Sequence, residues 1–79
     1  MKIVIAKTTL DMEYLIDCVL SVEDEMSAIP YIIVNQQTLN EIAREDTNGV
    51  FTDTNGSYEY RGYPVLIDNN LRYGEVELR

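Results

Sequence analysis

Two short blocks of β-forming residues, Ile3-Val4-Ile5 and Tyr31-Ile32-Ile33-Val34, bracket a segment whose apolar residues recur with helical period. That change of period, from consecutive β-formers to spacings of three and four and back, restricts the first half of the chain to a strand-helix-strand unit. Both strand blocks are apolar without alternation, which is the pattern of strands covered on both faces. Residues Lys2 to Ala6 are therefore expected to form a strand placed centrally in its sheet. The two strands are expected to pair in parallel through a right-handed crossover.

Between the blocks, Leu10 to Met26 reads as a helix. Steps of 100° gather Met12, Leu15, Ile16, Cys18, Val19, Leu20, Val22 and Met26 into one broad apolar arc. Glu13, Asp17 and Asp24 fall on the opposite side. Thr8 and Thr9 offer an N-cap, with Thr8-x-x-Asp11 as a capping-box variant. Ser27-Ala28-Ile29-Pro30 ends the helix, because proline drives the residue before it out of helical geometry.

After the second strand, Thr38-Leu39-Asn40-Glu41 has capping-box spacing and predicts a short helix over 39–45 with Leu39, Ile42 and Ala43 inward. Asn48-Gly49 closes it. The remainder reads as β-structure. Val50 to Asp53 and Tyr58 to Tyr60 flank Asn55-Gly56, a hairpin signal. Arg61-Gly62 makes a second turn or a bulge before a strand over 63–67, where Pro64 suggests a sheet edge or a break in pairing. Asp68-Asn69-Asn70 turns again, and Glu75-Val76-Glu77-Leu78 alternates as a strand with one wet face. The expected fold is a single α+β domain over 1–79, β-α-β-α-β-β-β. It has one small mixed or antiparallel sheet, its last strands a meander, with the first helix packed on one face.

Composition narrows the function classes. The 79 residues carry a net charge of -8, and residues 8–43 hold seven acids with no lysine or arginine. A chain with this balance has no basic footprint for phosphates or for anionic membrane surfaces, so neither nucleic acid nor membrane is an expected partner. Ile3 to Ala6 is too short an apolar run for a signal peptide, and no run approaches the ~20 residues of a membrane span. The single cysteine, Cys18, excludes an intrachain disulfide and fits a reducing cytoplasm.

Groups suited to catalysis are scarce. There is no histidine, the three serines lack triad partners, and Cys18 lies in the apolar arc as a core thiol. Glu13 and Asp17, four apart on the polar side of the helix, read as solvated carboxylates. Aligning Asn55-Gly56 with a calcium loop puts Phe51 and Gly62 where acids are required, so that match fails and no metal is expected. No cofactor motif is present. Six tyrosines stand against one phenylalanine and no tryptophan. Tyr58 and Tyr60 share one strand face and Tyr63 follows the turn, which suits cross-strand packing, a tyrosine-rich protein contact, or base stacking. Glu13, Asp17, Asp24, Tyr58, Tyr60 and Tyr63 are the candidate interaction residues.

The stretch Gly62-Tyr63-Pro64-Val65-Leu66-Ile67-Asp68-Asn69-Asn70-Leu71-Arg72-Tyr73-Gly74-Glu75-Val76, about a fifth of the chain, resembles a Gly-x-Pro-Val strand-turn segment of tailed-phage capsid proteins. The whole sequence resembles the small proteins of phages and prophages of Gram-positive bacteria. That resemblance implies a non-enzymatic accessory protein that binds or inhibits a host protein in the host cytoplasm. Its acidity suits mimicry of nucleic acid toward a nucleic-acid-binding target. The alternative is a virion structural or assembly role, or self-association as a homo-oligomer.

Overall fold

The computed structural model describes residues 1–5 and 11–79. The elements are β1 (Lys2–Val4), α1 (Met12–Met26), β2 (Ile32–Val34), α2 (Gln36–Glu45), β3 (Val50–Thr52), β4 (Tyr58–Tyr60), β5 (Tyr63–Ile67) and β6 (Glu75–Leu78). The class is α+β, with one six-stranded mixed sheet in the order β1-β6-β2-β5-β4-β3. Among the described residues, only β2 and β5 pair in parallel. One apolar cluster joins Leu15, Val19 and Val22 of α1 with Leu39 and Ile42 of α2 and the inward residues of the strands. Both helices therefore cover the same face.

The sheet order departs from the sequence expectation at three points. β1 is an edge strand, with Val4 58% exposed. Its apolar run covers one face only: Ile3 and Ile5 turn inward and Val4 turns out. β1 and β2 are not neighbours, because β6 lies between them, antiparallel to both. The meander is therefore limited to β3, β4 and β5.

The third departure is Pro64, which sits in an interior strand between β2 and β4. Two facts remove the cost of its missing N–H. Pairing with β2 begins one residue later, at Ile32 opposite Val65. On the other side Tyr60 and Tyr63 close the two-residue Arg61-Gly62 turn, whose residues have φ of 49° and 87° as a type I′ turn requires. The next pair, Glu59 with Pro64, is then a non-hydrogen-bonded one.

Thr8, Thr9 and Leu10 lie outside the described residues. The N-cap of α1 is Asp11, whose carboxylate accepts from the Tyr14 backbone N–H at 3.1 Å. The helix ends at Ser27 in a left-handed conformation, φ 54°. Of the broad apolar arc only Leu15, Val19 and Val22 are buried. Met12, Ile16 and Cys18 flank the core, and Leu20 and Met26 stand half exposed.

α2 begins earlier than its Thr38 signal suggests. Asn35 is the N-cap, and its Oδ1 accepts from the Thr38 N–H at 2.6 Å. Thr38 is instead fully buried in the first turn, where its Oγ accepts from the Gly74 N–H at 3.0 Å. Thr38 thus ties α2 to the approach to β6, a long-range bond that local spacing cannot disclose. Asn35 has a second long-range bond, from Nδ2 to the Leu71 carbonyl at 3.0 Å. Asn35→Ala removes the cap and that tie together. It is expected to cost about 1–3 kcal/mol, a cap of about 1 kcal/mol plus one net hydrogen bond. Chemical denaturation checks this, with Asn35→Asp restoring the cap alone.

Candidate functional site

The outer face of α1 is the acidic surface anticipated from sequence. Glu13, Asp17 and Asp24 are all exposed. At 100° per residue they span about 40° of arc, and Leu20, 50% exposed, falls in line with them. The surface is thus an exposed leucine bordered by three carboxylates. Among the described residues, none of the ion pairs reaches an acid of α1.

The C-terminal end of this helix is electrostatically unfavourable. Glu23, Asp24 and Glu25 crowd the last turns, which carry no basic residue. The free carbonyls of a helix C-terminus carry partial negative charge, so carboxylates there cost stability where a cation would contribute it. Glu23, Asp24, Ser27, Ala28 and Ile29 line a shallow groove of about 370 Å³ beside this end. Ile29 is 62% exposed at its rim. Glu23 is half buried and accepts a hydrogen bond from the Tyr63 hydroxyl, which raises the Tyr63 phenol above its ordinary value. Tyr63 thereby anchors the α1 terminus to β5.

The three candidate tyrosines do not form an exposed patch. Tyr60 is completely buried, and Tyr58 and Tyr63 pack partly buried against the core. All three face the helical layer, which corrects the reading of Tyr60 as a contact residue and leaves cross-strand packing. The Tyr60 hydroxyl donates to Asp46 Oδ2 at 3.0 Å, and the same oxygen accepts from Arg61 Nε at 2.8 Å. Burial, reinforced by the Asp46 bond, pushes the Tyr60 phenol up to about 12. The Arg61 hydrogen bond holds the Asp46 carboxyl below its usual range. Gly49 completes this junction: a Cβ there would lie 2.5 Å from Asp46 Oδ2 and 2.6 Å from Tyr60 Cε1.

Among the described residues, no helix packs on the opposite face of the sheet. Its outward positions include Val4, Tyr31, Ile33, Phe51 and Leu66, of which Phe51 is 60% and Leu66 49% exposed. Ile33 is buried between its cross-strand neighbours Glu77 and Leu66. Sequence reasoning missed this surface. The available signal was the apolar residue at every position of the blocks Ile3-Val4-Ile5 and Tyr31-Ile32-Ile33-Val34, a pattern that equally suits burial on both sides.

The Asp53 carboxylate, at the hairpin tip, accepts from the backbone N–H groups of Asn55 and Ser57 at 2.8 and 2.9 Å. This acid is engaged in shaping the turn. Among the described residues no group of three or more acidic or cysteine side chains is placed to hold a metal ion. Among the same residues no helix is long and apolar enough to cross a membrane. No protein-family model matches the chain, and neither a curated protein nor a solved structure matches it.

Proposed function

We propose that the protein is a small non-enzymatic binding module that presents the outer face of α1 to a basic surface of a partner protein. The observation that carries this reading is the in-line stripe of Glu13, Asp17, Leu20 and Asp24. An apolar anchor bordered by charge is the anatomy of a protein contact, where a few desolvated side chains carry the affinity and rim charges set orientation and rate. The unneutralised acids at the helix C-terminus support it further. An incoming arginine or lysine would pair with Asp24 and offset the carbonyl dipoles together. The phage-like character of the sequence makes a host protein in the host cytoplasm the target class. A nucleic-acid-binding protein, whose groove is already built for negative charge, fits best. The alternative, a virion assembly or self-associating role, has its own physical basis on the open sheet face.

Affinity capture from a Gram-positive lysate tests the reading. The wild-type chain is expected to retain a basic protein, and Glu13→Lys/Asp17→Lys/Asp24→Lys to lose it. Leu20→Ala is expected to weaken the purified pair by about tenfold, as for a contact worth just over 1 kcal/mol. Glu41→Lys/Glu45→Lys on α2 is expected to keep it. Capture that survives reversal on α1, or none at all, removes the proposal.

A further inference from the structure

Beyond the α1 surface, we propose that the open face of the sheet is covered by a second copy of this chain in a two-fold, face-to-face dimer. Three observations point to that occupant: the residues on the face, their charge pattern, and its size.

An antiparallel-rich sheet with one solvated face ordinarily shows polar residues outward. Here the central strands β2 and β5 present Tyr31, Pro64 and Leu66 around the buried Ile33, with Phe51 and Val4 toward the two edges. Such an apolar set, rimmed by charge, marks an interaction surface.

The charges are distributed as a self-pairing surface requires. α1 alone carries Glu13, Asp17, Glu23, Asp24 and Glu25 on the far layer, whereas the open face carries both Lys2 and Arg79 beside Glu59, Glu75, Glu77 and Asp53. Lys2 pairs with Glu75 at 3.5 Å and Arg79 with Glu77 at 3.4 Å on this face. Both cations remain well exposed, at 57% and 64% of their side chains, and both lie on the β1/β6 half. Glu59 and Asp53 lie on the β4/β3 half.

A two-fold axis running along the strands between β2 and β5 superposes opposite halves. The sheet order then brings β6 of one copy over β4 of the other, and β1 over β3. In that arrangement Arg79 meets Glu59 of the second copy, Lys2 approaches its Asp53, and Leu66 lies over its β2. Sheets stack about 10 Å apart and each helical layer lies about 10 Å further out. The two acidic α1 faces are then held roughly 30 Å apart, several times the ~8 Å Debye length at physiological salt. Stacking through the helices would instead press like charges together.

Size sets the strength. Six strands spaced ~4.8 Å and three to five residues long outline about 350 Å², so the pair buries about 700 Å², below the ~1,000 Å² of a stable specific interface. The dimer is therefore expected to be weak and concentration-dependent.

Sedimentation velocity from low micromolar to near-millimolar concentration tests this. Wild type is expected to shift from monomer to dimer, and Leu66→Glu to remain monomeric while retaining the wild-type circular dichroism spectrum. Arg79→Glu and Glu59→Arg, both at exposed positions, are each expected to weaken the dimer. Each single change opposes like charges across the two-fold, and the double swap is expected to restore association. A wild-type chain that stays monomeric throughout overturns the proposal. So does a dimer that survives Leu66→Glu, or a double swap no tighter than its single variants. Charge reversal on α1 is expected to leave the dimer intact, so failure of the α1 reading and failure of this one are separable.

Discussion

Deleting residues 75–79 is expected to abolish cooperative folding, although it removes only the last strand of six. Among the described residues, β6 is the sole partner of β1 and one of the two partners of β2. Its loss removes Val76 and Leu78, both essentially buried, from the core and strips β1 of its ladder hydrogen bonds to β6. Burial of a Val or Leu side chain contributes about 1.5–3 kcal/mol. Ile3 and Ile5 lose their place as well, so four such side chains are affected. A chain this size has a net stability of about 4–12 kcal/mol, which the deletion is expected to exceed. Thermal melts and amide dispersion in NMR read the outcome. A truncated chain that still melts cooperatively would show that β6 is an accessory to a smaller folded unit. Deleting Arg79 alone, which follows the strand, is expected to leave the fold intact.

Tyr60→Ala is expected to cost about 3–5 kcal/mol, the range for removing a fully buried large aromatic. It deletes a ring at zero exposure and the donor to Asp46. Tyr60→Phe keeps the ring and leaves Asp46 its Arg61 partner, so its cost is expected to fall to about 0.5–1.5 kcal/mol. Urea denaturation of the two variants separates packing from hydrogen bonding. Alkali gives a second readout. Tyr60 ionises near its ordinary value of 10 when unfolded and near 12 when folded. Its contribution is therefore fully present below pH 10 and is lost as pH rises toward 12. Tyr60→Phe is expected to flatten that alkaline loss. A Tyr60 phenol that titrates together with the exposed tyrosines of the native protein would contradict its burial.

These two predictions bear on how legible the molecule was. Element types were readable because each depends on neighbours in sequence. The helical period of 12–26, the Asn55-Gly56 and Arg61-Gly62 turns, and the alternation of 75–78 are local signals, and each appears as an element or turn of the expected type. The acidic surface of Glu13, Asp17 and Asp24 was legible for the same reason, since helical geometry alone places them together. Tyr60 was not legible as a core residue. The strand pattern pairs it with Tyr58, but only the packing of α2 and the Gly49 loop over that face decides that its ring is sealed and its hydroxyl bound.

Residue order by itself determined the α+β class, the concentration of negative charge on one helix and the scarcity of catalytic groups. Tertiary structure decided where the strands sit: β6 between β1 and β2, β1 at an edge, and Pro64 in the interior. It also decided that both helices of the described residues cover the same face of the sheet. The physical reason is that strand order and layer coverage rest on hydrogen bonds and contacts between residues as far apart as Lys2 and Glu77. No period or spacing within a short window records such pairings.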